Sequence, residues 1–193
     1  GQWRFTDVTR QVGLDVNNTR FSLAAAWADF DNDGDQDLYV ANDYGRDNLY
    51  RNDHFVAFKE KRGATQFVDI SATAHVEDSA TGMSIAWGDY DRDGWMDVFV
   101  GNMWSSAGNR IAFQDQFRPE ASAQTRRRIQ RLARGNTLLR NQRDGTFADR
   151  SAPAGVEMGR WAWASQFADL NNDGWEDLVI SNGYMTTEDT GDL

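Results

Sequence analysis

The stretch DFDNDGDQDLYV, residues 29–40, places five aspartates within nine residues and then passes directly into an apolar run. Carboxylates this close repel each other, so they need a positive partner. The same pattern recurs as DYDRDGWMDVFV from Asp89 and as DLNNDGWEDLVI from Asp169, with starts 60 and then 80 residues apart. The chain is therefore built from a repeat, and the repeat decides the fold.

Other landmarks recur in step with the acidic stretches. An aspartate in RFTDVT, QFVDIS or TFADRS precedes each acidic stretch, and an asparagine ends each apolar run. DNLYRN at 47–52 matches NTLLRN at 136–141. The recurring single residues are Asp7, Asp69, Asp149, Asn42, Asn102 and Asn182.

Each repeat unit is predicted to form four short strands. The first strand of each unit, at 21–29, 82–89 and 160–169, alternates large with small side chains rather than apolar with polar ones. This alternation is typical of a sheet buried on both faces, where large side chains fill the space left by small ones on the next sheet. We therefore predict an all-β fold, a β-propeller or partial propeller of four-stranded antiparallel blades.

The blade boundaries are set by the landmarks, and the whole of 1–193 is interpreted as one propeller segment. The predicted parts are a lone N-terminal strand at 4–9, a blade at 21–71, a blade at 82–151 and a half-blade at 160–182. Because the half-blade needs a neighbour, we expect either further blades in a longer chain or ring completion by other copies of the chain.

A non-repeated insertion at 103–135 interrupts the second blade. It contains PEASAQTRRRIQRLARG, which predicts a helix that begins near Pro119 and stops at Gly135. The helix carries five arginines opposite Ile129 and Leu132. It is interpreted either as a solvated helix that packs on the propeller or as an element that docks an anion or a partner.

The acidic stretches match the spacing of a calcium loop. Aspartate or asparagine stands at positions 1, 3, 5 and 9, glycine stands at position 6, and a backbone carbonyl is expected at position 7. The ion is a hard one, because no Cys is present and the loops contain no His. Three Ca²⁺ sites are predicted, with these ligands: Asp29, Asp31, Asp33, Asp35 and Asp37; Asp89, Asp91, Asp93, Trp95 and Asp97; Asp169, Asn171, Asp173, Trp175 and Asp177.

The residues after position 9 exclude helix-flanked calcium loops. An EF-hand needs an oxygen ligand at position 12 and then a helix, but position 12 here is Val40, Val100 or Ile180 inside a predicted strand. The net charge of −10 lies almost entirely in the predicted ligands, so acidity marks metal sites rather than an acidic surface. Nucleic-acid binding is not expected, and no apolar run is long enough to span a membrane.

With these loops the chain resembles the FG-GAP/VCBS repeat family of calcium-loop β-propellers, in particular its cartilage-acidic-protein-like (ASPIC/UnbV-associated) branch. The segments FTDVTRQVGL, GMSIAWGDYDRDGWMDVFVGN, GNTLLRNQRDGTFADRS and WAWASQFADLNNDGWEDLVISNGY carry the resemblance. It implies a secreted, cell-surface or periplasmic propeller in which calcium braces the blade loops and a protein or glycan is bound.

Two hypotheses about function remain open. The first is a calcium-stabilised extracellular binding or adhesion module without catalysis of its own, and the alternative is a catalytic or non-catalytic part of a carbohydrate-active enzyme related to polysaccharide lyases. The two histidines, His54 and His75, are assigned to dissimilar, non-repeating surface loops, and the repeated Asp7, Asp69 and Asp149 to a structural hydrogen bond. An acid–base carboxylate pair in a pocket with the insertion would favour the enzyme.

Overall fold

A computed structural model describes residues 2–53 and 66–182, and His54 lies outside these ranges. The described part is mostly β. Its strands are β1 (Phe21–Ala28), β2 (Asp37–Asp43), β3 (Asn48–Asn52), β4 (Phe67–Asp69), β5 (Gly82–Gly88), β6 (Asp97–Asn102), β7 (Thr137–Asn141), β8 (Phe147–Asp149), β9 (Ala162–Ala168) and β10 (Asp177–Asn182). Its helices are α1 (Thr9–Val12), α2 (Ser106–Ala112), α3 (Ala123–Arg134) and α4 (Ser151–Ala154).

The strands form two four-stranded antiparallel sheets and one two-stranded sheet. The orders are β1-β2-β3-β4, β5-β6-β7-β8 and β10-β9, so the first two sheets have the blade order that the repeat predicts. Each sheet has a register shift near the start of its first strand, at Leu23, Met83 and Trp163, which occupy the same position in the repeat. The described sheets do not close a ring.

The sheets stack face to face, and the alternation of large and small side chains explains how. Trp87 of β5 packs edge-on against Tyr39 of β2, with ring centroids 6.0 Å apart, and its indole nitrogen donates to the Ala26 carbonyl at 3.4 Å. On the other side of the same sheet, Gly88 leaves room for Phe167 of β9: a Cβ on Gly88 would lie 2.6 Å from the Phe167 ring. Large side chains of one sheet thus fill space over small ones of the next.

The core lies between the sheets. β6 is buried on both faces, with Val98 and Val100 in the cluster shared with the first sheet and Phe99 in the cluster shared with β9 and β10. The first cluster is the larger of the two. Its buried members are Phe30, Tyr39, Ala41, Leu49, Ala74, Val76, Val98, Val100, Leu139 and Phe147.

The repeated aspartates of the fourth strands have the structural role that the sequence predicts. Asp69 Oδ1 accepts a hydrogen bond from the Ser71 N–H at 3.0 Å, and the Ser71 hydroxyl in turn accepts from the Leu49 N–H at 2.8 Å. Asp149 and Ser151 repeat the arrangement with Leu138. Each aspartate therefore ties the end of the fourth strand to the third strand.

The predicted lone strand at 4–9 is wrong. Residues 2–8 have no regular secondary structure, Phe5 is 99 % exposed, and α1 already begins at Thr9. Asp7 Oδ1 accepts hydrogen bonds from the Thr9 N–H at 3.0 Å and the Thr9 hydroxyl at 2.7 Å, as in the other units. A fourth strand needs a third strand beside it, and no described strand takes that place.

Two helices, α2 and α3, lie between β6 and β7. The prediction that α3 begins near Pro119 is wrong by one turn: it begins at Ala123, because the Ser122 side chain caps it by accepting from the Thr125 N–H at 3.1 Å. It ends at Arg134, directly before Gly135, as the sequence predicts. The described helices are all too short or too polar to cross a membrane.

His75 occupies a repeat position, contrary to its assignment to a non-repeating loop. It lies six residues after Asp69, as Gly13 and Gly155 lie six residues after Asp7 and Asp149. All three residues have positive φ, with His75 at 61°. A side chain with a Cβ is disfavoured in this left-handed region, whereas glycine adopts it freely.

The variant His75→Gly is therefore expected to stabilise the fold. Relief of the left-handed conformation outweighs the entropy of glycine in the unfolded chain by about 0.5–1 kcal/mol. Denaturant unfolding of both proteins measures the difference. The control Ala72→Gly, in the same exposed turn but without positive φ, should lose stability; an equal loss in both variants would contradict the assignment.

Candidate metal centre

The three acidic loops connect the first two strands of each sheet and have the same backbone. Position 4 is left-handed in all three, at Asn32, Arg92 and Asn172, with φ of 58°, 58° and 59°. The glycine at position 6 also has positive φ in each loop. Positions 4 and 6 thus bend the chain around the carboxylates, which explains the glycine that the sequence repeats.

The first aspartate of each loop holds the turn. Asp29 accepts hydrogen bonds from the backbone N–H groups of Asp33 and Gly34 at 3.1 and 3.0 Å. Asp89 makes the same pair of contacts at 2.8 Å each, and Asp169 makes them at 3.1 and 2.9 Å. The loop is therefore built around this carboxylate.

Three carboxylates converge in each of the first two loops. Oxygens of Asp29, Asp31 and Asp37 lie within 4.8 Å of one another, and so do oxygens of Asp89, Asp91 and Asp97. Ca²⁺ binds oxygens at about 2.3–2.6 Å, so two ligands of one ion lie at most about 5 Å apart. The spacing fits a single calcium ion in each loop.

The ninth-position aspartates are buried and join the loop to the third strand. Asp37 accepts from the Asn52 N–H at 2.7 Å and from the Phe30 N–H at 3.2 Å, while Asp97 accepts from the Asn141 N–H at 2.8 Å. Burial raises the pKa of both Asp37 and Asp97 to about 7, with added repulsion from neighbouring loop carboxylates and partial relief from the backbone hydrogen bonds.

Several buried oxygens in these groups have no protein partner. In the described part of the chain, Asp31 Oδ1, Asp91 Oδ1 and Asp97 Oδ2 are buried and accept no hydrogen bond. An unpaired buried carboxylate oxygen is costly, and burial is also the main reason that the pKa of Asp31 is raised. A bound cation would satisfy these oxygens, so the donor set fits a hard divalent ion such as Ca²⁺.

The fifth-position aspartates stay outside the groups of three. Asp33 is exposed and accepts from the Asp35 N–H at 3.1 Å. Asp93 pairs with Arg140 at 2.8 Å and with Arg143 at 2.7 Å, and these guanidiniums lower its pKa against the opposing effect of desolvation. Ligation by Asp33, Asp93 and the position-7 carbonyls of Asp35, Trp95 and Trp175 stays a prediction.

The third loop differs from the other two in its position 3. The Asn171 amide nitrogen donates to Asp173 Oδ2 at 3.0 Å, and the Asn171 side-chain oxygen accepts from the Asp173 N–H at 2.9 Å. Asp177 accepts from the Leu170 N–H at 3.1 Å, as Asp37 does from Phe30. The backbone cradle is thus preserved, with fewer carboxylates and greater exposure than in the first two loops.

Neighbouring loops contact each other. The Asn32 amide donates to the Gly94 carbonyl at 3.2 Å, which joins the first loop to the second. The Arg92 guanidinium lies 5.0 Å from the centre of the Trp175 ring, a cation–π contact that joins the second loop to the third. The three loops therefore form one continuous edge of the stacked sheets.

The comparison with protein families agrees with this architecture. A model of the FG-GAP-like repeat matches residues 29–100 and 129–180, which is more than half of the chain and includes all three loops. The chain belongs to the FG-GAP-like repeat family. No curated protein matches its sequence.

The prediction from sequence missed two kinds of residue that contact the acidic loops of this FG-GAP chain. The first is the asparagine that ends each third strand, since Asn52 and Asn141 donate both to Asp37 or Asp97 and to a loop carbonyl. Its signal is the RN pair repeated in both blades. The second is Arg140, whose repeat counterpart Arg51 instead pairs with Asp53 at 2.7 Å, so repetition in the sequence does not indicate its loop contacts.

The raised pKa values predict how metal-free stability depends on pH. In the folded protein without calcium, Asp37 and Asp97 keep their protons up to about pH 7, whereas in the unfolded chain they release them near pH 4. Their contribution to stability is full below that lower pH and is lost as the pH rises through about 7. Calcium binds the deprotonated form, so its stabilisation should grow over the same range.

Thermal unfolding in EDTA and in calcium at pH values from about 5 to 8 tests whether the stabilisation by calcium grows with pH. The difference between the midpoints in calcium and in EDTA should widen with pH. In Asp37→Asn this difference should widen less, because the variant lacks one titrating group. A calcium effect that is equally large at pH 5 and pH 8 would overturn the assignment.

Proposed function

We propose that this FG-GAP repeat chain is a calcium-braced binding module, with Ca²⁺ in each acidic loop and no catalysis of its own. The observation that carries the proposal is the convergence of Asp29, Asp31 and Asp37, repeated by the second loop, around buried oxygens without protein partners. The third loop supplies a weaker site through Asp169, Asn171 and Asp177. FG-GAP repeats are commonly involved in binding and adhesion, and the family supports that role here.

The role of calcium in this proposal is structural. In each full blade the ninth-position aspartate contacts the third strand, and the first aspartate fixes the turn between the first and second strands. An ion on these carboxylates would therefore connect three strands of one blade. It supplies positive charge where the sheet would otherwise bury repelling carboxylates.

An extracellular, cell-surface or periplasmic location is part of the same proposal. Calcium modules outside the cell work at high free calcium and need only modest affinity, which suits the first and third loops, where the fifth-position side chains Asp33 and Asp173 are exposed. FG-GAP repeats occur in extracellular proteins, and the ASPIC/UnbV-associated branch is the proposed subfamily. A protein or glycan is the proposed ligand.

The enzymatic alternative would need an acid–base pair in a pocket next to the insertion. A pocket of about 490 Å³ does lie there, lined by Trp104, Trp161 and their neighbours. Its lining contains Arg160 but no carboxylate or histidine among the described residues. No observation on this pocket favours a lyase over a binding module.

Thermal unfolding with calcium, with magnesium and with EDTA tests the proposal. For a site about 100-fold above its dissociation constant, binding adds about 2.7 kcal/mol, which corresponds to a rise of roughly 5–10 °C for a chain of this size. Magnesium should give a much smaller rise because it demands a tighter octahedral site.

The variant Asp31→Asn separates calcium binding from general charge effects. It removes the charge of a half-buried carboxylate whose Oδ1 atom is buried without a partner, so it should raise the midpoint in EDTA and at the same time reduce the gain on adding calcium. Asp115→Asn removes the same charge from an exposed residue of the insertion and should change neither value. Equal calcium responses in all three proteins, or no response in the parent, would sink the proposal.

A further inference from the structure

The arginines of α3 divide into two groups with different surroundings. Arg131 and Arg134, near the end of the helix, are anchored to the sheets. The Arg131 guanidinium contacts the buried carboxylate of Asp78, and Arg134 pairs with Asp149 at 2.6 Å. These contacts fix the helix on the propeller, and their charges are neutralised.

Arg127 and Arg128 have no such partners. Both are exposed, and within the described ranges neither guanidinium makes an ion pair or a hydrogen bond. Together with Gln124 and Arg131 they lie at the 3- and 4-residue spacing of one helix face. That face lines a groove in which the opposite wall is formed by Glu77 and Ser79 of the segment before β5.

The groove consists of two adjoining depressions. They have volumes of about 240 and 210 Å³ and share Ser79 and Arg128. The second depression is walled by Tyr44, Gly45 and Arg46 from the turn after β2. The groove therefore runs from the insertion of the second blade across to the first blade, away from the calcium loops.

Tyr44 gives the groove an aromatic wall. Its side chain is 69 % exposed, and its φ of 55° places it in the left-handed region. An exposed ring on a bulky residue in this strained conformation is not explained by packing, and such outliers are concentrated at binding sites. Arg46 next to it pairs with Glu77 at 2.9 Å, so the unpaired charge in the groove belongs to Arg127 and Arg128.

We propose that this groove binds an anionic polysaccharide, a chain whose sugar rings carry carboxylate or sulfate groups. Two unpaired guanidiniums recognise such oxyanions through charge-assisted hydrogen bonds. The Tyr44 ring offers a flat face for a sugar ring, and Ser79 and Gln124 offer polar groups for its hydroxyls. The adjoining depressions suit an extended polymer rather than a single small anion.

The same groove fits an acidic peptide or the acidic loop of a second copy less well. Both supply carboxylates, but only a sugar chain also presents a ring face for Tyr44 and hydroxyls for Ser79 and Gln124 at every unit along the groove. In this inference the calcium loops keep only their structural role, so the groove can be tested while calcium is kept saturating and constant. A failure here would leave the calcium proposal intact.

Binding of hyaluronate, dextran sulfate, neutral dextran and polyglutamate to the calcium-loaded chain tests the proposal, with each polymer also titrated into the same calcium buffer without protein. Calorimetry should detect the two anionic polysaccharides and not neutral dextran. The double variant Arg127→Gln/Arg128→Gln should weaken both at least tenfold. The control Arg110→Gln/Arg118→Gln loses the same charge from exposed residues outside the groove and should bind as the parent does.

Tyr44→Asn distinguishes a sugar from a peptide. Asparagine tolerates the left-handed backbone, so the variant removes the ring without strain and should weaken polysaccharide binding several-fold. Unchanged binding by Tyr44→Asn with equally tight polyglutamate would overturn the proposal in favour of an acidic peptide. Equal losses in the two arginine double variants would reduce it to unspecific charge attraction, and no binding of either polyanion would refute it.

Discussion

In both full blades the fold depends on burying a carboxylate at the start of the second strand. Asp37 and Asp97 are fully buried, and each contacts the third strand of its blade through a backbone N–H. The same carboxylates lie beside two other aspartates, so the contact that orders the blade also creates a repulsive group. A divalent cation resolves this conflict, because it satisfies the carboxylates that the sheet has already brought together.

At the opposite ends of the second strands, an asparagine in each full blade connects the second strand to the third. Asn42 and Asn102 close the connection to the third strand by donating their N–H groups to Asp47 and Asn136, at 2.9 Å in each blade. Asp47 is acidic, whereas its repeat counterpart Asn136 is neutral. Burial raises the pKa of Asp47 well above the ordinary value, and repulsion from Asp78 raises it further. Arg131 of the insertion contacts Asp78, so the helix that builds the groove also balances charge in the core.

Period and spacing in the sequence were enough to predict the blades and the acidic loops, because both depend on local alternation and turn chemistry. The asparagines and the Asp69 hydrogen bond were predictable from repetition alone. What the sequence could not show was the choice of partner over long distances. Arg140 pairs with both Asp91 and Asp93 of the second loop, whereas its repeat counterpart Arg51 pairs with Asp53. The prediction of a strand at 4–9 was wrong for a related reason, because a strand forms only where a neighbouring strand can hydrogen-bond to it.

The most direct test of the account is to count the calcium ions that the folded chain carries. Native mass spectrometry after exchange into buffers of increasing free calcium, up to about 1 mM, measures this number. The account predicts two ions that bind first, in the loops that begin at Asp29 and Asp89, and a third that binds at higher calcium in the loop that begins at Asp169. A folded chain that carries no calcium over this range would contradict it.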